Sequence, residues 1–183
     1  AVFAPPPSRR LSAHHPDIQP AAPPPRADMP TVSRTRTIPA PLPSLWETVS
    51  DPHHLARWWP RVVRVESVAE DAFTEVLSSS RGRLLRADFN LLHRTEDTHA
   101  IAWQQVVENT PFARLLKSAR TSLSLAPASA SAPDHGDGTE VTIELDQSLN
   151  GFFSRFGSFM VRKAALQTLD EALDGLERIA GPA

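Results

Sequence analysis

The sequence predicts an α+β domain: a seven-stranded, curved antiparallel sheet, two short helices after its first strand, and one long C-terminal helix (β-α-α-β6-α). Three observations lead there. From Val62 to Leu149 apolar residues recur with period two, the spacing of strands half-buried on one face. The breaks between these runs are short, as antiparallel hairpins require. The stretch Phe152 to Ala180 is free of proline, and its Phe152, Phe156, Phe159, Leu166, Leu169, Leu173, Leu176 and Ala180 recur at helical spacing.

Taken in order, residues 1–30 hold nine of the eighteen prolines and no apolar periodicity. Such a segment buries too little surface to offset its ordering entropy, so a disordered or extended tail is expected before a domain spanning 31–183. Thr31 to Ile38 alternates and reads as the first strand. Ser44, with Glu47 three residues on, reads as a capping box opening a short helix through Ser50. Asp51-Pro52 ends that helix and starts another, His53 to Trp59, which Pro60 stops.

Six strands follow: Val62 to Val68, Phe73 to Ser79, Leu84 to Arg94, His99 to Glu108, Leu115 to Leu125 and Thr139 to Leu149. The low-complexity loop Pro127 to Gly138 separates the last two. Alternation assigns an inward face to Leu85, Ala87, Phe89, Leu91 and His93, and to Ile101, Trp103, Gln105 and Val107 on the next strand. A register slip of one would turn the intervening charges inward.

The terminal helix divides in two. Its first half is aromatic (Phe152, Phe153, Phe156, Phe159, Met160), and its second is a leucine stripe backed by acids. The leucine half is expected to anchor on the sheet and the aromatic half to wall a space. Arg155, Arg162 and Lys163 lie toward its start and four acids toward its end, against the macrodipole preference. Its stability must therefore come from tertiary burial.

Composition excludes several functions. A net charge of −2 and a pI near 6.4 leave no electrostatic footprint for nucleic acid or an anionic membrane. The absence of cysteine removes disulfides, thiolate catalysis and thiolate zinc sites, and fits a cytoplasmic protein. No apolar run approaches the ~18 residues of a membrane span. Arg9-Arg10 precedes Leu-Ser-Ala-His-His-Pro rather than an apolar segment, so no export signal is read.

The order of elements is that of the helix-grip fold. Ile38-Pro-Ala-Pro-Leu-Pro-Ser-Leu-Trp-Glu-Thr-Val-Ser-Asp-Pro, followed by Leu55-Ala-Arg-Trp-Trp-Pro, resembles the opening of START-like, SRPBCC proteins. That superfamily includes polyketide cyclases/dehydrases, lipid-transfer proteins and the birch-pollen-allergen group. The glycine-rich loop of the plant branch is missing from Ser79-Ser-Ser-Arg-Gly-Arg, which points to a bacterial-type member. The resemblance covers about Thr31 to Ala180. It implies a hydrophobic cavity between sheet and C-terminal helix, occupied by a lipid, polyketide or aromatic small molecule.

Candidate ligand-binding residues are Trp103, Phe89, Leu91, His93, Gln105, Trp58, Trp59, Phe152, Phe156 and Met160. A mid-strand tryptophan such as Trp103 is most simply core, but beside a cavity its flat ring also serves as a wall. Trp58 and Trp59 close the second short helix; their alternative role is to pack it on the sheet edge. Gln105 is an inward amide needing a partner, which backbone, water or ligand can supply.

His93 is the one weak catalytic candidate. Under the cyclase reading it would shuttle protons while Gln105 or Arg120 anchors a carbonyl, although alternation turns Arg120 outward. Adjacent His53 and His54 cannot share a helix face toward a metal. Asp134-His-Gly-Asp-Gly lacks EF-hand spacing and reads as a solvated turn. No metal, cofactor, nucleophile–base or phosphate-loop signature is found.

Three functions remain open: a binder or carrier of a hydrophobic small molecule, a polyketide cyclase/aromatase/dehydrase, and a protein-interaction module using the Pro-rich tail and the Trp58-Trp59 edge.

Overall fold

The computed structural model describes residues 31–128, 138–150 and 158–181. Strand β1 (Thr31–Ile38) leads into helix α1 (Leu42–Ser50), a 3-10 turn (Pro52–His54) and the single turn of α2 (Leu55–Trp58). Six strands follow: β2 (Val62–Glu66), β3 (Ala72–Ser78), β4 (Leu84–Thr95), β5 (Ala100–Gln105), β6 (Leu116–Pro127) and β7 (Thr139–Leu149). Helix α3 (Ser158–Ala180) closes the chain's described part. The seven strands form one antiparallel sheet in the order β1-β7-β6-β5-β4-β3-β2. Consecutive strands from β2 to β7 are neighbours, whereas β1 and β2 occupy opposite edges with α1 and α2 between them in sequence.

Local chemistry accounts for the helix boundaries. Pro41 and Pro43 flank the first residue of α1, where missing N–H groups cost nothing. Ser44 is therefore already inside the helix, and no side chain caps it, which corrects the expected capping box. The Asp51 carboxylate instead caps the following 3-10 turn, accepting from the His53 backbone N–H at 2.9 Å. Leu45, Trp46 and Val49 bury the inner face of α1. The Trp46 indole donates to Glu96 in the β4–β5 turn and meets His99 edge-on at 5.4 Å.

The expected strand from His99 to Glu108 ends earlier, at Gln105, and a 3-10 turn (Pro111–Arg114) precedes β6. Thr110 caps that turn by accepting from the Phe112 N–H at 3.3 Å. Strand β4 carries an irregularity between Leu91 and His93: Leu91 pairs with Trp103, but His93 pairs with Ala102. A bulge of this kind reverses the facing of everything beyond it. Leu91 thus packs against the core, while His93 is exposed. The inward placement expected for His93 is corrected accordingly.

Leu169, Leu173 and Leu176 are at most 1% exposed and form the anchor of α3 on the sheet's concave face. Its acids face a different partner. Arg34 of β1 donates to Asp170 at 2.8 Å, and Arg36 donates to Asp174 at 2.5 Å and to Glu177 at 3.2 Å. These pairs explain acids near the helix's negative end: their counter-charge is on the edge strand. Gly175 lets α3 pass close to the backbone of α2, since a Cβ there would stand 2.3 Å from the Trp58 carbonyl oxygen. The expected helical stretch from Phe152 to Gly157, the tail 1–30 and the Asp134 to Asp137 turn lie outside the described residues.

Candidate functional site

The core does not fill the space between sheet and helix. A cleft of about 460 Å³ lies between the concave face and the first half of α3. Its origin is a deficit of side-chain volume on the helix. Where the second half of α3 offers leucines, the first half turns Val161, Ala164, Ala165 and Thr168 to the cleft. The sheet side is aromatic, with Trp103 and Phe89, and Trp59 reaches in from the end of α2.

The rings hold one another in place. Phe73 stacks on Phe89 at 5.3 Å, and Trp103 takes Phe73 edge-on at 6.2 Å and Trp59 at 6.1 Å. Trp58 meets Trp59 perpendicularly at 5.3 Å from behind. Such edge-to-face pairs add roughly 0.5–1.5 kcal/mol each beyond area burial. They also hold the rings of the wall against one another.

Of the residues singled out from sequence, Trp103, Phe89, Gln105 and Trp59 line this cleft. Trp58 is 2% exposed and packs behind Trp59 and under Gly175. Leu91 lines a separate, smaller cleft with Phe73, Val68 and Arg94. His93 is on the solvent side of the bulge, and Met160 is 74% exposed at the start of α3. Arg120 pairs in register with Asp146 and is not among the lining residues. Phe152 and Phe156 fall outside the described residues.

Sequence reasoning passed over the most unusual group in the cleft. Glu75, in the middle of β3, is 2% exposed and lines the cavity. Its Oε1 is fully buried and has no hydrogen-bond partner. Burial pushes its carboxyl from 4.5 up to about 8, so at neutral pH it is mostly un-ionised. The signal was present in the alternation Phe73, Glu75, Leu77, which puts an acid on the inward face between two apolar residues.

The opposite face of the same strand shows how the fold treats an ordinary acid. There Arg64 and Arg86 flank Val76 in register, and both donate to Glu66. Thr74 donates to Asp88 at 2.6 Å. These two outward carboxylates, Glu66 and Asp88, are paired, and the inward one is not. Among the described residues, the only other charged one lining the cleft is Arg61, an exposed side chain at its rim. The remaining polar groups are neutral, chiefly Gln105, Gln147, Thr121 and the serines 78–80. This set can hydrogen-bond neutral oxygen functions inside an otherwise apolar wall.

Comparison with known proteins gives a consistent assignment. The family model described as polyketide cyclase / dehydrase and lipid transport matches residues 29–181. No curated protein matches. Among solved structures, the chain is similar to a START superfamily protein from Mycobacterium smegmatis, at TM-score 0.65 and 17% identity, covering 82% of this chain and 96% of that one. It is similar to the Zhui aromatase/cyclase from Streptomyces sp. R1128, at TM-score 0.67 and 16% identity, covering 84% and 94%. It also resembles the di-domain ARO/CYC BexL from the BE-7585A biosynthetic pathway, at TM-score 0.65 and 15% identity, covering 83% of this chain and 48% of that one. At these identities the likeness concerns the fold.

Proposed function

Since this chain belongs to the polyketide cyclase / dehydrase and lipid transport family, we propose that it binds a hydrophobic small molecule in the cleft between its sheet and α3. The observation that carries this reading is the cleft itself, about 460 Å³ with aromatic side chains on the sheet wall and small ones on the helix wall. That volume lies in the usual range of small-molecule sites, and apolar lining with few polar groups is their usual composition. A second reading, cyclisation or dehydration of a polyketide, is favoured by Glu75, a titratable group inside the apolar wall. In that reading the cleft folds a reactive chain into shape and a proton donor assists at one carbonyl.

Titration of the full chain with 2-ethylnaphthalene, followed by NMR of the four tryptophan indole N–H signals, tests the binding reading. The signals of Trp59 and Trp103 are expected to move saturably, while that of Trp46, engaged with Glu96, stays still. Ala165→Phe, which fills the helix side of the cleft, is expected to abolish the shifts. Silent indoles in the wild type, or equal shifts in A165F, would refute the proposal.

A further inference from the structure

Resting on the reading that the cleft takes an apolar guest, the identity of its buried acid narrows what that guest carries. We propose that Glu75 is the polar anchor of the cleft, a carboxylic acid whose O–H donates to a carbonyl oxygen of a neutral ligand, so that the site selects an aryl or polycyclic ketone over the matching hydrocarbon and over the matching amine.

Geometry comes first. Glu75 is 2% exposed, lines the cleft, and leaves Oε1 buried without a partner. A buried polar atom with no partner costs on the order of 1–3 kcal/mol, so a guest that satisfies it gains selectively over one that does not. Strand pairing fixes its direction: Phe73 and Leu77 flank it on the concave face, and Ala87 stands opposite on β4. Reorienting the carboxyl to solvent would require a one-residue slip of β3, which would expel Phe73 from the core as well.

Charge decides between ligand classes. Each element around the acid can be checked for a group that would hold it ionised. On β2 and β4 the flanking Arg64 and Arg86 lie on the far face and are committed to Glu66. The lining positions on β5, β6 and β7 are Trp103 and Gln105, Ala119 and Thr121, and Leu145 and Gln147, all uncharged. Helix α3 offers Val161, Ala164, Ala165 and Thr168. Arg61 stands at the exposed rim. Among the described residues no cation but the rim's Arg61 lines the cleft, and the buried carboxyl retains its proton to about pH 8 and presents a donor.

An ammonium guest would need an ionised partner, which a carboxyl that keeps its proton does not supply. A ketone oxygen needs only one directed donor, with Gln105 able to supply a second from the neighbouring strand.

The test uses three probes of one shape: 2-acetylnaphthalene, 2-ethylnaphthalene and 1-(2-naphthyl)ethylamine, measured by equilibrium dialysis with the full chain at about pH 6 and about pH 9.5. In the wild type the ketone is expected to gain on the hydrocarbon by about tenfold at the lower pH, the worth of one good hydrogen bond. That gain disappears at the higher pH, where the donor has ionised. Glu75→Gln keeps a neutral N–H donor and is expected to hold the preference at both pH values. Glu75→Leu is expected to bind both neutral probes with no pH-dependent preference.

A preference that is the same in wild type and E75L, or unaltered by pH, would overturn the inference while leaving the cleft reading intact. So would an amine that binds best and tightens as pH rises, which would make Glu75 a counter-ion. Failure of all three probes to bind would overturn the cleft reading and this inference together.

Discussion

Replacing Glu75 by glutamine tests whether the fold carries a buried acid at a cost that depends on pH. In the unfolded chain the carboxyl titrates at its ordinary 4.5, and in the folded protein at about 8. Below both values it is protonated in either state and contributes nothing. Between them the native protein holds a proton that the unfolded chain has released, so stability falls as pH rises. Above about 8 both states are ionised, and the native state bears the whole desolvation cost. At about 1.36 kcal/mol per pH unit, the gap between the two values corresponds to roughly 4–5 kcal/mol. Glutamine has the same shape and does not titrate.

Urea unfolding of wild type and E75Q, at about pH 5 and about pH 9, isolates the effect from every other titrating group. The two proteins should lie close together at the lower pH. The variant should be the more stable by several kcal/mol at the higher. A difference between them that changes by less than about 1 kcal/mol across the range would show that Glu75 reaches water or a partner, and the account of the cleft's electrostatics would fall with it.

Three further outcomes are expected. Leu169→Ala and Leu173→Ala, at positions at most 1% exposed, should each cost about 2–5 kcal/mol in thermal or urea melts, and an unmoved melt for both would remove the anchor role of α3. Gly175→Ala should destabilise by roughly 1–3 kcal/mol, because the new Cβ meets the Trp58 carbonyl at 2.3 Å. Helix propensity alone predicts a gain of about 1 kcal/mol from the same change, so the sign of the shift decides. Asp170→Ala or Asp174→Ala should cost less than about 1 kcal/mol, falling further in high salt, because the two acids are 46% and 64% exposed.

The sheet was legible because alternation and turn chemistry act over neighbouring residues. Six runs and their breaks sufficed to place β2 to β7 within a few residues, and β7 matches from Thr139 to Leu149. What alternation cannot see is a bulge. One extra residue between Leu91 and His93 reverses parity, and His93, inward by counting, faces water. The capping box at Ser44 failed for a related reason. Pro41 and Pro43 already fix the helix start, so a serine cap has no orphan N–H to serve there.

The cleft was partly legible. Trp103, Phe89 and Gln105 follow from facing alone, and Trp59 from its place at the end of α2. The helix wall did not follow, because the eye goes to large residues. Space is made by small ones, and Ala164, Ala165 and Thr168 carry no signal until the opposing surface is known. Glu75 was hidden by habit of a different kind: an acid in a strand is normally assigned to solvent, although Phe73 and Leu77 on either side required it to point inward.

The strand order has a consequence for how the chain is made. Thr31 to Ile38 leave the ribosome before the other strands of the sheet, yet their partners, Thr139 to Asp146, come more than a hundred residues later. The meander from β2 onward can zip hairpin by hairpin during synthesis, but β1 must wait as a solitary extended segment, the condition in which nascent chains aggregate. Arg34 and Arg36 give that waiting segment the like charges that discourage two copies from pairing. When Asp170, Asp174 and Glu177 finally arrive, the same guanidinium groups become the latch that fastens the first strand to the closing helix.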